Sequence, residues 1–181
     1  MRALAVPLAA AALALLGAGT ATASDPWASL HRPLRLAPLA AGARCPVTPS
    51  HGLDRGRLSG AGAGPVYPMP SPFSRYDRLP AWLGSKTLWA WPAALVTRRT
   101  RVLVRGLRLD RPGELQFQLG PGWDTAHATH ELRLDTTRTV GSFSGTTWGA
   151  TVTMLLVRTA GCYGLQLDSA DGTSTIVVQA R

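Results

Sequence analysis

The sequence predicts an all-β fold: an antiparallel β-sandwich of the immunoglobulin-like kind, preceded by an extended N-terminal leader. Two observations lead to this prediction. From residue 87 onward, short apolar, β-branched and aromatic runs alternate with turn residues, at the spacing typical of sandwich strands. After residue 23, no segment has the 3.6-residue apolar periodicity of an amphipathic helix.

The predicted strands come in order along the second half of the chain. They cover residues 87–96, 101–109, 114–119, 130–135, 139–144, 151–158, 162–167 and 173–179. Pro92 interrupts the first strand and predicts that it is bulged or at a sheet edge, because proline cannot donate a ladder hydrogen bond. Segment 114–119 alternates strictly, so we expect Leu115, Phe117 and Leu119 in the core and the three polar residues in water. In segment 130–135 the two leucines point inward.

Residues 1–23 have the pattern of an export signal. Arg2 precedes an apolar run, and Ala21-Thr22-Ala23 is a small-x-small cleavage site. We therefore expect a mature chain that starts near Ser24 and is secreted or periplasmic. No later apolar run approaches the roughly 18 residues that span a bilayer, so we expect no transmembrane anchor.

Residues 24–85 differ in composition from the remainder and are predicted to be a Pro/Gly-rich extended leader packed on the domain of residues 86–181. They hold ten of the 14 prolines and a glycine-rich stretch at 60–64. Proline removes backbone donors and glycine raises the entropy cost of ordering, which disfavours regular elements. Residues 65–73 are apolar enough to lie against the domain as a polyproline-like segment.

The only two cysteines predict a disulfide between the leader and the domain. Strand alternation places Tyr163, Leu165 and Leu167 on one face and Cys162 on the other. If the apolar face is the core, Cys162 points outward, unlike an immunoglobulin bridge that crosses the core. We expect Cys45 to pair with Cys162 and to staple the leader to the outer face of a late strand.

Three short motifs carry a family resemblance: Cys45-Pro-Val-Thr-Pro-Ser-His-Gly52, Leu88-Trp-Ala-Trp91 and Gly161-Cys-Tyr-Gly-Leu-Gln166. Over residues 45–180 the chain resembles a group of small secreted bacterial proteins that run from a Cys-Pro-Val-Thr segment to a Gly-Cys-Tyr or Gly-Cys-Trp strand. The resemblance implies a secreted β-sandwich with a leader-to-strand disulfide. His51 stands where such chains often have asparagine. No catalytic residue comes with the resemblance.

The chain is strongly basic, with a formal net charge of +9, and Lys86 is the only lysine among its 19 basic residues. Such a charge favours anionic partners and predicts attraction to anionic envelope surfaces. Nucleic acid is not an expected partner, because no nucleic-acid-binding motif accompanies the charge.

One cluster could carry metal chemistry. His127 and His130, with Asp124 nearby, could supply two or three zinc ligands, and His51 is a distant third candidate. The His-Glu-x-x-His signature is absent, and the segment is predicted to be a strand, on which i and i+3 do not share a face. A metal-binding protein or small metal-dependent hydrolase is therefore the alternative function, and no cofactor is expected.

The aromatic residues give the leading hypothesis. Trp89 and Trp91 share one strand face, and Arg99 and Arg101 follow closely. An exposed tryptophan pair beside arginines would suit a protein or glycan partner, whereas a buried pair would belong to the core, which we favour. No nucleophile elbow is present. The sequence thus predicts a secreted or periplasmic, non-enzymatic module that binds protein or glycan at the cell envelope.

Overall fold

The computed structural model describes residues 25–119, 127–138, 141–142 and 147–181; the predicted export signal lies outside them. The strands of this part are β1 (Ser50–Leu53), β2 (Leu58–Ala61), β3 (Tyr67–Pro70), β4 (Ser74–Arg75), β5 (Leu83–Pro92), β6 (Arg101–Arg108), β7 (Leu115–Leu119), β8 (Glu131–Asp135), β9 (Gly141–Ser142), β10 (Trp148–Val157), β11 (Gly161–Ser169) and β12 (Gly172–Ala180). A four-residue helix, α1 (Ala94–Thr97), joins β5 to β6, and single 3₁₀ turns lie at Ala28–Leu30 and Asp54–Gly56.

Two antiparallel sheets form the sandwich and confirm the predicted fold class. The first has the order β3-β5-β10-β7, with β4 on β5 and β9 on β10; the second has the order β12-β11-β6-β8. Their facing sides share one apolar core, to which Trp89 and Leu155 contribute from the first sheet and Val104, Tyr163 and Ile176 from the second. β1 and β2 form a separate hairpin.

Two predictions that were based on prolines, one for β5 and one for residues 67–70, differ from the structure. β5 ends at Pro92 and residues 94–97 form α1, although the predicted strand continued to residue 96. β5 is also an interior strand, with β3 and β4 on one side and β10 on the other. The expected edge or bulge is therefore wrong. Pro68 and Pro70 do lie at an edge: residues 67–70, predicted as polyproline-like, pair with β5 as β3. An edge strand tolerates proline because one side of its backbone needs no partner.

Two of the side-chain orientations predicted for β7 are wrong. Leu115 and Phe117 are buried, as expected, but Leu119 at the strand end is 62% exposed and Gln118 is only 3% exposed. Gln118 lies opposite Met154, which belongs to a second apolar cluster on the outer face of the first sheet, formed with Leu79, Trp82 and Leu156. This cluster covers the outer face beside Gln118 and shields it from water. In β8, both leucines are buried as predicted.

Residues 25–49, called the strap below, cover the outer face of the second sheet. The predicted disulfide is present: Cys45 and Cys162 are joined, with 5.5 Å between their Cα atoms. The Leu39 amide donates to the Leu109 carbonyl (2.7 Å), and the Thr48 amide donates to the Val177 carbonyl (2.9 Å). The strap therefore contacts β12 as well as the chain just after β6.

Gly164 lets the strap lie close to β11. A Cβ atom at this position would lie 2.9 Å from a methyl carbon of Leu109 and 3.1 Å from one of Leu36, which is a strap residue. The side chain facing the strap at the next outward position, Gln166, is fully buried. Its amide oxygen accepts from the Arg35 amide (2.7 Å), and its amide nitrogen donates to the Pro33 carbonyl (3.1 Å).

A buried polar network surrounds Asp168 beneath the strap. Its carboxylate accepts hydrogen bonds from Arg105 (2.8 Å), Thr173 (2.6 Å) and Gln166 (3.0 Å), and Arg105 also donates to the Arg32 carbonyl. Burial acts to raise the pKa of Asp168, but these hydrogen bonds outweigh it and hold the pKa below its ordinary value. The carboxylate is therefore ionised at neutral pH, and it links the sheet to the strap through Arg105.

Candidate functional site: a basic cleft at one end of the sandwich

A cleft of about 280 Å³ lies where the strap, the connection after α1 and the β11–β12 turn meet. The strap supplies Pro26, Ser29 and Leu30, and the β11–β12 turn supplies Ala170 and Asp171. The connection between the two sheets supplies residues 98–101, three of which are arginines. We call this feature the basic cleft. Its walls come from three segments that are separated in sequence by 68 and 69 residues.

The end of α1 fixes the arginine wall. The Arg98 amide donates to the Ala94 carbonyl (3.2 Å), and the Thr100 amide donates to the Leu95 carbonyl (3.1 Å). Leu95 is buried in the core and anchors this turn. Arg99 has φ +50°, in the left-handed region where glycine usually ends a helix. This backbone turns the chain from the first sheet into the second.

None of the three arginines forms an ion pair with another described residue. Arg98 and Arg99 are exposed, and no ion pair joins either guanidinium to residues 25–119, 127–138 or 147–181. Arg101 lies opposite Asp135 in the β6–β8 register. Burial acts to raise the pKa of Asp135, but hydrogen bonds from Thr137 and the charge of Arg101 leave it below its ordinary value. Arg98 and Arg99 therefore have positive charge available to a ligand, and Arg101, which lies opposite Asp135 without an ion pair, lines the same cleft.

The strap wall is held by contacts on both sides of Leu30. Leu30 is buried and closes a 3₁₀ turn, and the Nε2 atom of His31 donates to Glu131 (2.8 Å). Arg32 donates to the Ser169 carbonyl (2.8 Å) and to the Thr173 hydroxyl (3.0 Å). These contacts attach the strap to β8 and to the β11–β12 hairpin, so the folded domain holds this wall of the cleft in place.

The predicted tryptophan pair lies in the core. Trp89 and Trp91 are both 0% exposed, and the Trp89 indole donates to the Thr153 hydroxyl (2.8 Å). Neither side chain is exposed at a surface, so neither can carry the binding role that was predicted for an exposed tryptophan pair. Arg99 and Arg101, predicted beside them, do line the basic cleft.

The part of the chain that the structure describes contains no metal site at the predicted ligands. His127 and His130 are exposed, and Asp124 lies outside the described residues. In the described ranges, no group of three or more histidine, cysteine, aspartate or glutamate side chains is placed to hold a metal. Glu131, next to His130, is engaged elsewhere: burial acts to raise its pKa, but hydrogen bonds from His31 and Arg133 leave it below its ordinary value.

Sequence reasoning missed half of the cleft. Asp171 lies in the turn between β11 and β12, and no sequence pattern marks it, Pro26, Ser29 or Leu30 as part of a site. Only the placement of the strap reveals them, and a disulfide prediction alone does not give the register of the residues 15 or more positions before the cysteine. The positive charge of residues 98–101 was the one signal that could be read from the sequence.

Two other surface features are weaker candidates for a binding site. A cleft of about 380 Å³ between the edge strands β3 and β12 is lined mainly by apolar and hydroxyl side chains and has Arg181 as its single charged side chain. His51, Tyr67 and Trp148 form a ring cluster with 5.7 Å between neighbouring centroids. In neither place do charge and concavity coincide as they do in the basic cleft.

No helix among the described residues is long and apolar enough to cross a membrane. A scan against protein-family models, a search of curated proteins and a search of solved structures each found no match to the chain.

Proposed function

We propose that the chain is a secreted or periplasmic, non-enzymatic module that binds an anionic partner, protein or glycan, at the cell envelope through the basic cleft. The observation that carries this proposal is that two exposed arginines, Arg98 and Arg99, line a concave site and form no ion pair with another described residue. Guanidinium groups form bidentate, charge-assisted hydrogen bonds with carboxylates and phosphates.

The disulfide supports the proposed location. Disulfides persist in oxidising compartments such as the periplasm and the extracellular space, and Cys45–Cys162 is closed. The export-signal pattern of residues 1–23 leads to the same location independently. The basic net charge favours association with anionic envelope surfaces.

The backbone at Arg99 is strained, as is that of Arg55 in the β1–β2 turn. A non-glycine residue in the left-handed region carries a conformational cost on the order of 1 kcal/mol. Glycine would remove that cost but would also remove the guanidinium.

A matched pair of variants tests the proposal. Arg55 is also exposed, also has a left-handed backbone (φ +58°) and lies in the β1–β2 turn, away from the cleft lining. Arg99→Gly and Arg55→Gly each remove one charge and one strained residue, so each should raise the free energy of unfolding by about 1 kcal/mol. Only Arg99→Gly should weaken binding, by about tenfold or more, because a hydrogen bond to a charged group is lost.

Binding would be measured to immobilised polygalacturonate and to polyphosphate, with neutral dextran as the uncharged reference. The proposal expects wild type to bind at least one polyanion, with an affinity that falls as salt is raised, and expects Arg55→Gly to behave like wild type. Equal binding by the two variants would assign the affinity to net charge rather than to the cleft. Absence of binding to both polyanions would overturn the proposal.

A further inference from the structure

We propose that His31 is a pH-sensitive latch that holds the strap turn, residues 25–32, on β8. In its charged imidazolium form the side chain attaches this turn to the sheet through both ring nitrogens, and in its neutral form it loses one of the two bonds. The strap turn supplies one wall of the basic cleft. The inference rests on the proposed function for its consequence, which is tighter binding of anions at mildly acidic pH.

Both ring nitrogens of His31 face an oxygen atom that accepts hydrogen bonds. The Nδ1 atom lies 3.0 Å from the Trp27 carbonyl oxygen, and the Nε2 atom lies 2.8 Å from a carboxylate oxygen of Glu131. A carbonyl oxygen and an ionised carboxylate can only accept. Neutral histidine has one N–H group, whereas imidazolium has two. Only the charged form therefore makes both bonds at once.

Glu131 is ionised at neutral pH, so it does not supply the second proton. Burial acts to raise its pKa, but hydrogen bonds from His31 and Arg133 leave the pKa below its ordinary value. The second oxygen of this carboxylate accepts from the Arg133 guanidinium at 2.8 Å and 3.0 Å. Arg133 therefore keeps a positive charge beside Glu131 when His31 loses its proton.

The other charged groups around the latch are carboxylates and guanidinium groups. They are Asp25 and Arg32 on the strap, Glu131 and Arg133 on β8, and the paired Arg105 and Asp168 of β6 and β11. Histidine is the side-chain type whose charge ordinarily changes between pH 5 and pH 8. His130, which precedes Glu131, is the other histidine beside the latch and is exposed. It provides the control below.

The attachment of the strap turn is expected to weaken as the pH rises. Both bonds are present where His31 is protonated, and one is lost as the ring becomes neutral. The His31 and Glu131 side chains are 37% and 27% exposed, so the bond should change the ratio of attached to open turn by about three- to fivefold. Because Pro26, Ser29 and Leu30 of this turn line the basic cleft, its opening removes that wall.

Amide hydrogen exchange of the protein without ligand tests the latch. The reporters are the amides of Leu30 and His31, which donate within the strap turn at 2.9 Å and 3.2 Å. Their protection factors, which correct for the intrinsic pH dependence of exchange, should be about three- to fivefold higher at pH 5.5 than at pH 8. The Thr48 amide, bonded at the other end of the strap, should change by less than about twofold.

Two substitutions test the role of the ring protons. His31→Gln removes the group that titrates, so the difference in Leu30 protection between the two pH values should vanish. Glu131→Gln replaces an accepting oxygen by an N–H donor of similar shape, from which neutral His31 can accept through Nε2 while Nδ1 still donates to the Trp27 carbonyl. The difference should then vanish or change sign. His130→Gln should keep the wild-type difference.

Anion binding is measured separately, with immobilised polygalacturonate at the same two pH values and one ionic strength. Wild type and His130→Gln should bind more tightly at pH 5.5, and His31→Gln should lose most of this difference. Equal pH dependence of binding in His31→Gln and His130→Gln would overturn the link between the latch and the cleft.

The exchange data distinguish failure of the latch from failure of the proposed function. Equal Leu30 protection at the two pH values in wild type, or an unchanged difference in His31→Gln, would overturn the latch whatever the protein binds. Wild type that shows the expected change in protection but binds no polygalacturonate at either pH would support the latch and contradict the binding role of the cleft.

Discussion

Replacing both cysteines, as Cys45→Ala/Cys162→Ala, should lower the free energy of unfolding by about 4–5 kcal/mol. The bond joins residues 117 positions apart, and in the chain-entropy model a loop of this length restricts the unfolded chain by that amount. Typical domains have a net stability of roughly 5–15 kcal/mol, so the loss would be a large fraction of the total. Urea denaturation of the oxidised wild type and of the variant measures it.

The disulfide prediction has its own control. Oxidised wild type treated with a reductant should lose stability by nearly the same amount as the double variant, since both lack the covalent link. Agreement between the two would assign the effect to the bond rather than to the loss of the buried Cys162 side chain. A loss below about 1 kcal/mol in both would mean that the bond restricts the unfolded chain very little, which would contradict the loop argument.

Asp168→Ala should lower the free energy of unfolding by about 3 kcal/mol. The carboxylate is fully buried and accepts hydrogen bonds from Arg105, Gln166 and Thr173. Its removal leaves the largely buried guanidinium of Arg105 without its counter-ion, and breaking one side of a buried ion pair is strongly destabilising. Chemical denaturation against wild type is the measurement.

A comparison variant makes the buried-pair argument testable. Asp171→Ala removes an exposed aspartate three residues away, and its free energy of unfolding should stay within about 0.5 kcal/mol of wild type. Asp168→Ala/Arg105→Met removes both charges and should recover part of the loss. If the double variant were no more stable than Asp168→Ala, the unpaired charge of Arg105 would not be the cause.

Most of the fold follows from local patterns that no tertiary contact overrides. The alternation in β8 and β11 defines which side chains face the core, and it also predicts that Cys162 points away from it, as found with the bridge to Cys45. Each of these features is decided by a few neighbouring residues.

The predictions that failed depended on what covers an outer sheet face. Gln118 has the sequence position of a solvated residue, yet the apolar cluster around Trp82 and Met154 covers its side of the sheet. Pro68 has the composition of a loose leader, yet it completes the edge of the first sheet. Alternation identifies the two faces of a strand, but it does not reveal a segment that folds back over the outer one.

The sequence also predicts only part of the candidate site. The arginines at 98–101 could be predicted from charge, whereas their role depends on a strap wall at Pro26–Leu30 and on Asp171 in a distant turn. No spacing rule connects these three segments, because their proximity results from the register of the strap on β11. A sequence gives the chemistry of each wall separately, and the fold alone brings the walls together.

The central claim is that the strap, residues 98–101 and the β11–β12 turn form one binding site. The most direct test is a titration of isotopically labelled protein with trigalacturonate, in which the chemical shifts of the backbone amides are measured. The account predicts the largest shift changes at residues 27–30, 98–101 and 170–172 together. Changes confined to the apolar cleft around Phe73 and Val177, or to the ring cluster of Tyr67 and Trp148, would contradict it.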